Sequence, residues 1–150
     1  MTSNAPIFSD EYFMRLALIE AQQAADEGEI PIGAVIVTND KVIARAHNRS
    51  EALLDTTAHA ELMAITSAQN YLGAKFLSDC TLYVTVEPCV MCAGAIRWAR
   101  FARVVWGADE PKSGFSRFST EIFHPKTVIS SGILADECAD LMRQFFASRR

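Results

Sequence analysis

A histidine, a glutamate and two cysteines carry the chemistry of this 150-residue chain: His59-Ala60-Glu61 and, further along, Pro88-Cys89-Val90-Met91-Cys92. One imidazole and two thiolates suit a zinc ion, and three protein ligands leave a fourth position open for water, as in catalytic sites. Zinc lowers the pKa of such a water to about 7. His59, Cys89 and Cys92 are therefore the candidate ligands. Glu61, two residues past the histidine, points elsewhere than into the ligand set and is placed to move protons beside the metal.

C-x-x-C alone also fits a thiol redox pair or a closed structural zinc site. The redox reading leaves His59 and Glu61 idle and lacks an early strand leading into the motif. A closed site needs a fourth ligand, and the spare candidates His47, Cys80 and His124 have no obvious pairing with the motif.

The elements that must position these groups can be read from hydrophobic spacing. Ser9, followed by Asp10 and Glu11, caps a helix whose mostly apolar positions run from Phe13 to Ala24, with Gly28 as its stop. A β-branched run at 32–37, an Asn39-Asp40 turn and a return at 41–46 predict a hairpin. Residues 48–57 read as a loop, with Thr56 or Thr57 capping a helix over 58–71. A strand over 81–86 leads through Pro88 into a helix over 89–98, so both motif halves fall at helix starts, where partial positive charge favours thiolates. Strands at 103–106 and 127–130, a loop with a short helix between them, and a last helix over 135–147 complete the order.

Strands alternating with helices predict a layered α/β domain with helices on both faces of one sheet. The connection before the last strand is too long for a hairpin and long enough for a crossover, so the last two strands should run parallel. No linker or repeat divides the chain, and 1–150 reads as one domain with enough apolar residues, 50%, for one core. No apolar run approaches a membrane span, and residues 1–10 lack the pattern of a signal peptide, which points to the cytoplasm and away from membranes. Cys80 and Cys138 read as buried core residues. Met91, Ala93, Ala95 and Ile96 read as packing, Glu87 as a second acid or a backbone cap, and His47 and His124 as non-catalytic. The net charge of −4 argues against a broad grip on nucleic acid, leaving room for a local basic patch from Arg97, Arg100, Arg103, Lys112, Arg117 and Arg149-Arg150.

Hydroxide attack on an amidine-like ring carbon, with Glu61 passing the proton to the ring nitrogen and the leaving ammonia, uses all these parts; backbone N–H groups at the helix starts (Ala60, Glu61, Cys89) are candidates to orient the substrate. The pairing H-x-E with P-C-x-x-C is the signature of zinc deaminases acting on nucleobases. Further stretches extend the likeness: EIPIGAV at 29–35, AHNR at 46–49, TAHAE at 57–61, TLYVTVEPCVMCAGAI at 81–96, GILADEC at 132–138 and Phe145-Phe146. Together they resemble the bacterial tRNA-specific adenosine deaminases, within the cytidine deaminase-like superfamily.

That resemblance implies a three-layer α/β/α domain with a five-stranded mixed sheet. It also implies Zn2+ held by His59, Cys89 and Cys92, a homodimer, and conversion of the wobble adenosine of a tRNA anticodon loop to inosine. By resemblance, Asn48 hydrogen-bonds the target base, Ile30 and Val86 are apolar pocket positions, and Ala60 gives the base room and a backbone donor. Lys112 matches a basic residue of the loop that approaches the nucleic acid. The alternative is a deaminase of a free nucleobase or nucleoside, and the loop around Glu110 and Lys112 bears on that choice.

Overall fold

The structure, a computed structural model, describes residues 7–149. The expectations for the first six residues and for Arg150 lie outside the described residues. Four helices and five strands follow in the order α1 (Asp10–Asp26), β1 (Gly33–Thr38), β2 (Lys41–His47), α2 (Ala60–Leu72), β3 (Thr81–Val86), α3 (Val90–Ala99), β4 (Arg103–Ala108), β5 (Val128–Ser130) and α4 (Ala135–Ala147). A single 3-10 turn, Phe115–Arg117, interrupts the long connection between β4 and β5.

The strands form one sheet in the order β2-β1-β3-β4-β5. The pairs involving β1 are antiparallel, and β3–β4 and β4–β5 are parallel. The hairpin closes through Asn39 and Asp40, both at positive φ (50° and 60°), the geometry of a tight turn that follows the strand twist. Ser9 caps α1 by accepting a hydrogen bond from the Tyr12 N–H at 3.2 Å.

Strand alternation sorts the core into two layers. Val35, Val37, Tyr83 and Val105 face α1 and α4, packing on Phe13, Met14, Ala17 and Cys138. Ala34, Ile36, Leu82, Val84, Val104 and Trp106 face α2 and α3, packing on Ala64, Ala68, Ala93 and Ile96. The domain is thus a three-layer α/β/α sandwich with a mixed sheet. Gly33 lets β1 approach α1: a Cβ there would fall 2.1 Å from the Ala17 carbonyl oxygen. Cys80 and Cys138 are buried and free. Met91 departs from its packing assignment, since it and Val90 lie on the outward face of α3's first turn.

Arg97, Arg100 and Arg103, for which the sequence left a local basic patch open, each engage a separate partner. Arg103 makes a bidentate pair with Asp10 (2.7 and 2.8 Å), which also accepts from the Tyr83 hydroxyl at 2.8 Å. Arg97 donates to the carbonyls of Ile122 and Phe123, and Arg100 lies over the Phe76 ring.

The Asp10 carboxyl is held below its ordinary value, chiefly by the Arg103 hydrogen bond. Its contribution to stability is therefore present above the unfolded value of about 3.9 and is lost as pH falls through the lower folded value. The Asp10→Asn variant should melt about 2–4 °C lower at pH 7, equivalent to about 1 kcal/mol for a half-exposed pair. The difference from wild type should shrink in melts taken as pH falls below the ordinary carboxylate range.

Candidate active site

The two motif halves meet at the starts of α2 and α3. His59 and Cys89 are the N-cap residues of these helices, both extended (φ −81°, ψ 150° and φ −69°, ψ 169°), one position earlier than a first-turn placement. Their carbonyls accept the first helical hydrogen bonds, from Met63 and Ala93 at 3.1 and 2.9 Å. Neither side chain makes a capping hydrogen bond, so imidazole and thiol turn toward each other. The cap expected of Thr56 or Thr57 does not form; the Thr57 N–H and hydroxyl both donate to Asp55 Oδ1, at 2.8 and 2.7 Å, shaping the approach to His59.

Cys89 Sγ lies 3.6 Å and Cys92 Sγ 3.4 Å from His59 Nδ1. Bond lengths of about 2.0 Å to nitrogen and 2.3 Å to sulfur set a ligand-to-ligand edge of about 3.5 Å in a tetrahedral site. The residues present therefore fit zinc, with Nδ1 as the ligating nitrogen. The three donor atoms lie within 4.8 Å of one another. Cys89 is pulled down to about 4, first by the hydrogen bond from Cys92, and Cys92 is pushed up by donating that bond and by burial. The hydrogen bond to Cys89 raises the His59 imidazole.

Glu61 is 3% exposed, in the first turn of α2. Burial pushes its carboxyl up to about 7. A carboxyl poised near neutrality is suited to accept and return a proton.

His59, Glu61 and Cys89 line a cavity of about 220 Å³, which also takes in Asn48, Ala60, Ile30 and Val86. That is smaller than the ~300–1,000 Å³ of drug-sized pockets and suits one planar ring. Lys112 does not line it, although its neighbours Glu110 and Ser113 do. Instead, the Lys112 N–H donates to Glu110 Oε1 and its carbonyl accepts from Arg117.

Glu110, singled out with Lys112 in the substrate-side loop, does line it, whereas sequence reasoning missed Ile32, Ser50, Ser113, Met142 and Phe146. Met142 and Phe146 are four apart on α4, a spacing that shares a helix face, but no local signal aims that face at His59. Glu87 takes the backbone-capping role: buried, it accepts hydrogen bonds from the N–H groups of Glu110 and Ser116.

A three-layer domain whose helix starts converge one imidazole and two thiols beside a buried glutamate defines the class of zinc-dependent deaminases. Residues 8–108 match the cytidine and deoxycytidylate deaminase zinc-binding region. The tRNA-specific adenosine deaminase of Agrobacterium fabrum is 46% identical over 144 residues, covering 93% of this chain and 95% of that protein. The chloroplastic tRNA(adenine(34)) deaminase of Arabidopsis thaliana is 44% identical over 93% of this chain, which spans 12% of its length. A solved structure from studies of A-to-I editing by tRNA:A34 deaminases at the wobble position of transfer RNA superposes with a TM-score of 0.81 at 44% identity. It covers 87% of this chain and 98% of its own. This chain belongs to the tRNA-specific adenosine deaminase family, within the cytidine and deoxycytidylate deaminase zinc-binding class.

Proposed function

We propose that this chain, as one domain over 1–150, hydrolytically deaminates adenosine to inosine at the wobble position of a tRNA anticodon. The observation that carries the reading is a base-sized cavity bounded by His59 and Cys89 of the three-donor cluster, the buried Glu61 and Asn48. His59, Cys89 and Cys92 would hold zinc, which when bound supplies the Lewis acidity that makes water a nucleophile near neutral pH. Glu61 takes a proton from the attacking water and delivers it to ring nitrogen N1. It then carries the second proton to the departing amine, so that adenosine and water become inosine and ammonia. Ile30 and Val86 pack the faces of the base, and Ala60 leaves it room.

Asn48 is nine-tenths buried and pre-oriented: its Oδ1 accepts from the Ser50 N–H at 3.2 Å, and its Nδ2 reaches toward the Ile30 carbonyl. An amide offers both a donor and an acceptor to a purine edge. Asn48→Ala should lower kcat/KM on a stem-loop about 10–100-fold, the effect of losing a buried hydrogen bond worth about 1–3 kcal/mol. Steady-state kinetics check it, and an unchanged kcat/KM removes Asn48 from base recognition.

Incubation with an anticodon stem-loop bearing a wobble adenosine tests the activity. Inosine is expected, with no ammonia release from a panel of free bases and nucleosides. The reverse pattern would assign the cavity to a free base, the alternative reading.

A homodimer belongs to this proposal. Trp98 is 75% exposed at the end of α3, with Val90 and Met91 exposed at its start, an apolar stripe suited to a second copy. Lys112, on the loop that contributes Glu110 and Ser113 to the wall, stands where it can meet a phosphate. A cytoplasmic setting follows from a tRNA substrate and from cysteines used as metal donors, not disulfides. Among the described residues no helix is long and apolar enough to cross a membrane.

A further inference from the structure

Two buried glutamates, Glu29 next to the lining residue Ile30 and Glu87 in the lining itself, each hold one wall of the cavity. Glu29 is 1% exposed and directly precedes the lining residue Ile30. Its carboxylate accepts from two consecutive backbone N–H groups, Glu51 at 2.9 Å and Ala52 at 2.8 Å, one on each oxygen. The loop so held carries Asn48 and Ser50, both of which line the cavity. Glu87 is 5% exposed and directly precedes Pro88-Cys89. Its Oε1 accepts from the Glu110 N–H at 3.1 Å, and its Oε2 from the Ser116 N–H at 3.0 Å and the Ser116 hydroxyl at 2.7 Å. This second loop carries Glu110 and Ser113 to the cavity.

The second loop is shaped around its glutamate. A Cβ on Gly114 would fall 2.1 Å from Glu87 Oε2 and 2.5 Å from the Glu110 carbonyl oxygen, so only glycine fits where the carboxylate passes. Gly114 also bridges to Cys89, and the Phe115 N–H donates to the Pro88 carbonyl at 2.9 Å. Among the described residues neither Glu29 nor Glu87 enters an ion pair with a side-chain cation. Burying a carboxylate is unfavourable unless its oxygens are hydrogen-bonded, and here backbone amides of the two walls do that work.

We propose that Glu29 and Glu87 are matched positioning residues that fix the width of the cavity: Glu29 braces the Asn48 wall and Glu87 braces the Glu110–Ser113 wall. The proposal rests on the reading that this cavity receives the target base. Walls held at a fixed spacing present Asn48 and the Glu110–Ser113 loop to the base without reorganisation, so that less binding energy is lost to ordering them. Loosened walls weaken the base in ground and transition states alike, which raises KM and leaves kcat near its original value.

Glu29→Gln and Glu87→Gln keep side-chain shape but turn an amide NH2 toward a backbone N–H. Each variant is compared with wild type for zinc per chain, for amide hydrogen exchange in both loops, and for KM and kcat on the stem-loop. Zinc should stay at the wild-type level. Glu29→Gln should speed exchange at Glu51 and Ala52 alone, Glu87→Gln at Glu110 and Ser116 alone, and each should raise KM about tenfold or more with kcat within about threefold. Asp10→Asn, destabilised elsewhere in the fold, should leave KM unchanged. If Glu87→Gln sheds zinc, Ser116→Ala, which leaves the carboxylate beside Cys89 in place, carries the test of that wall. Loosened walls with an unchanged KM, or exchange that rises equally in both loops, overturn the proposal. Absence of inosine from the wild type overturns the tRNA reading alone; wall-specific exchange then still supports the two braces, and its absence removes them.

Discussion

Replacement of Glu61 by glutamine should lower deamination of the stem-loop by about 10³-fold or more while zinc content holds at the wild-type level. Positioned proton transfer contributes about 10²–10⁴-fold, and the proposed route asks a single carboxyl to serve two successive transfers. Glutamine preserves the shape of a side chain that is almost fully enclosed at the first turn of α2. It cannot accept a proton from water. The glutamine variant should also melt no lower than wild type, because a carboxyl whose charged form is disfavoured by burial is a source of instability. Inosine analysis, metal content and a thermal melt on one preparation decide the matter. Substantial residual activity with full zinc would move the proton transfer to another group.

Zinc removal should abolish inosine formation completely, lower the melting temperature by about 10 °C and leave far-UV circular dichroism nearly unchanged. A ligand present at about 1,000 times its dissociation constant stabilises by about 4 kcal/mol, and a chain of this length shifts by about 2–4 °C per kcal/mol. The secondary structure should persist because both hydrophobic layers are built mainly from side chains that do not ligate: Ile36, Leu82, Val84 and Val104 on one face, Phe13, Val35 and Val105 on the other. Adding zinc back should restore activity to the chelated wild type but not to Cys89→Ala or His59→Ala. Global unfolding on chelation would make the site a structural staple. Activity surviving chelation would remove the metal from the reaction.

Much of this was legible in the sequence because it depends on short-range pattern. The last helix begins and ends where apolar spacing placed it, at Ala135 and Ala147, and the length of the chain before β5 was enough to make the final pairing parallel. The metal donors were legible because a helix start fixes the relation between Cys89 and Cys92, and the histidine needed only one matching partner. The walls were not. Met142 and Phe146 reach the cavity from the far end of the chain through packing of α4 on β4, which no local spacing encodes. The reach of Glu29 to Glu51 and of Glu87 to Ser116 depends on loops whose paths follow from tertiary contacts. The partners of arginines 97, 100 and 103 were hidden for the same reason: nearness in sequence left a patch open, while Asp10, the Ile122 and Phe123 carbonyls and Phe76 drew each one to a separate partner.

The position of α4 over the cavity has a consequence for how such a protein can change. Every candidate metal donor and the proton-carrying glutamate lie before residue 93, whereas Met142 and Phe146 come from the last helix. One part of the cavity wall is therefore written in a stretch of polypeptide separate from the reacting centre, while Ile30, Asn48 and Val86 share the stretch that reacts. Exchange of the terminal helix between relatives would swap one wall of the chamber while leaving the reacting centre intact. Directed recombination at the turn before Ala135 is thus a natural route to a deaminase with the same chemistry and a different guest.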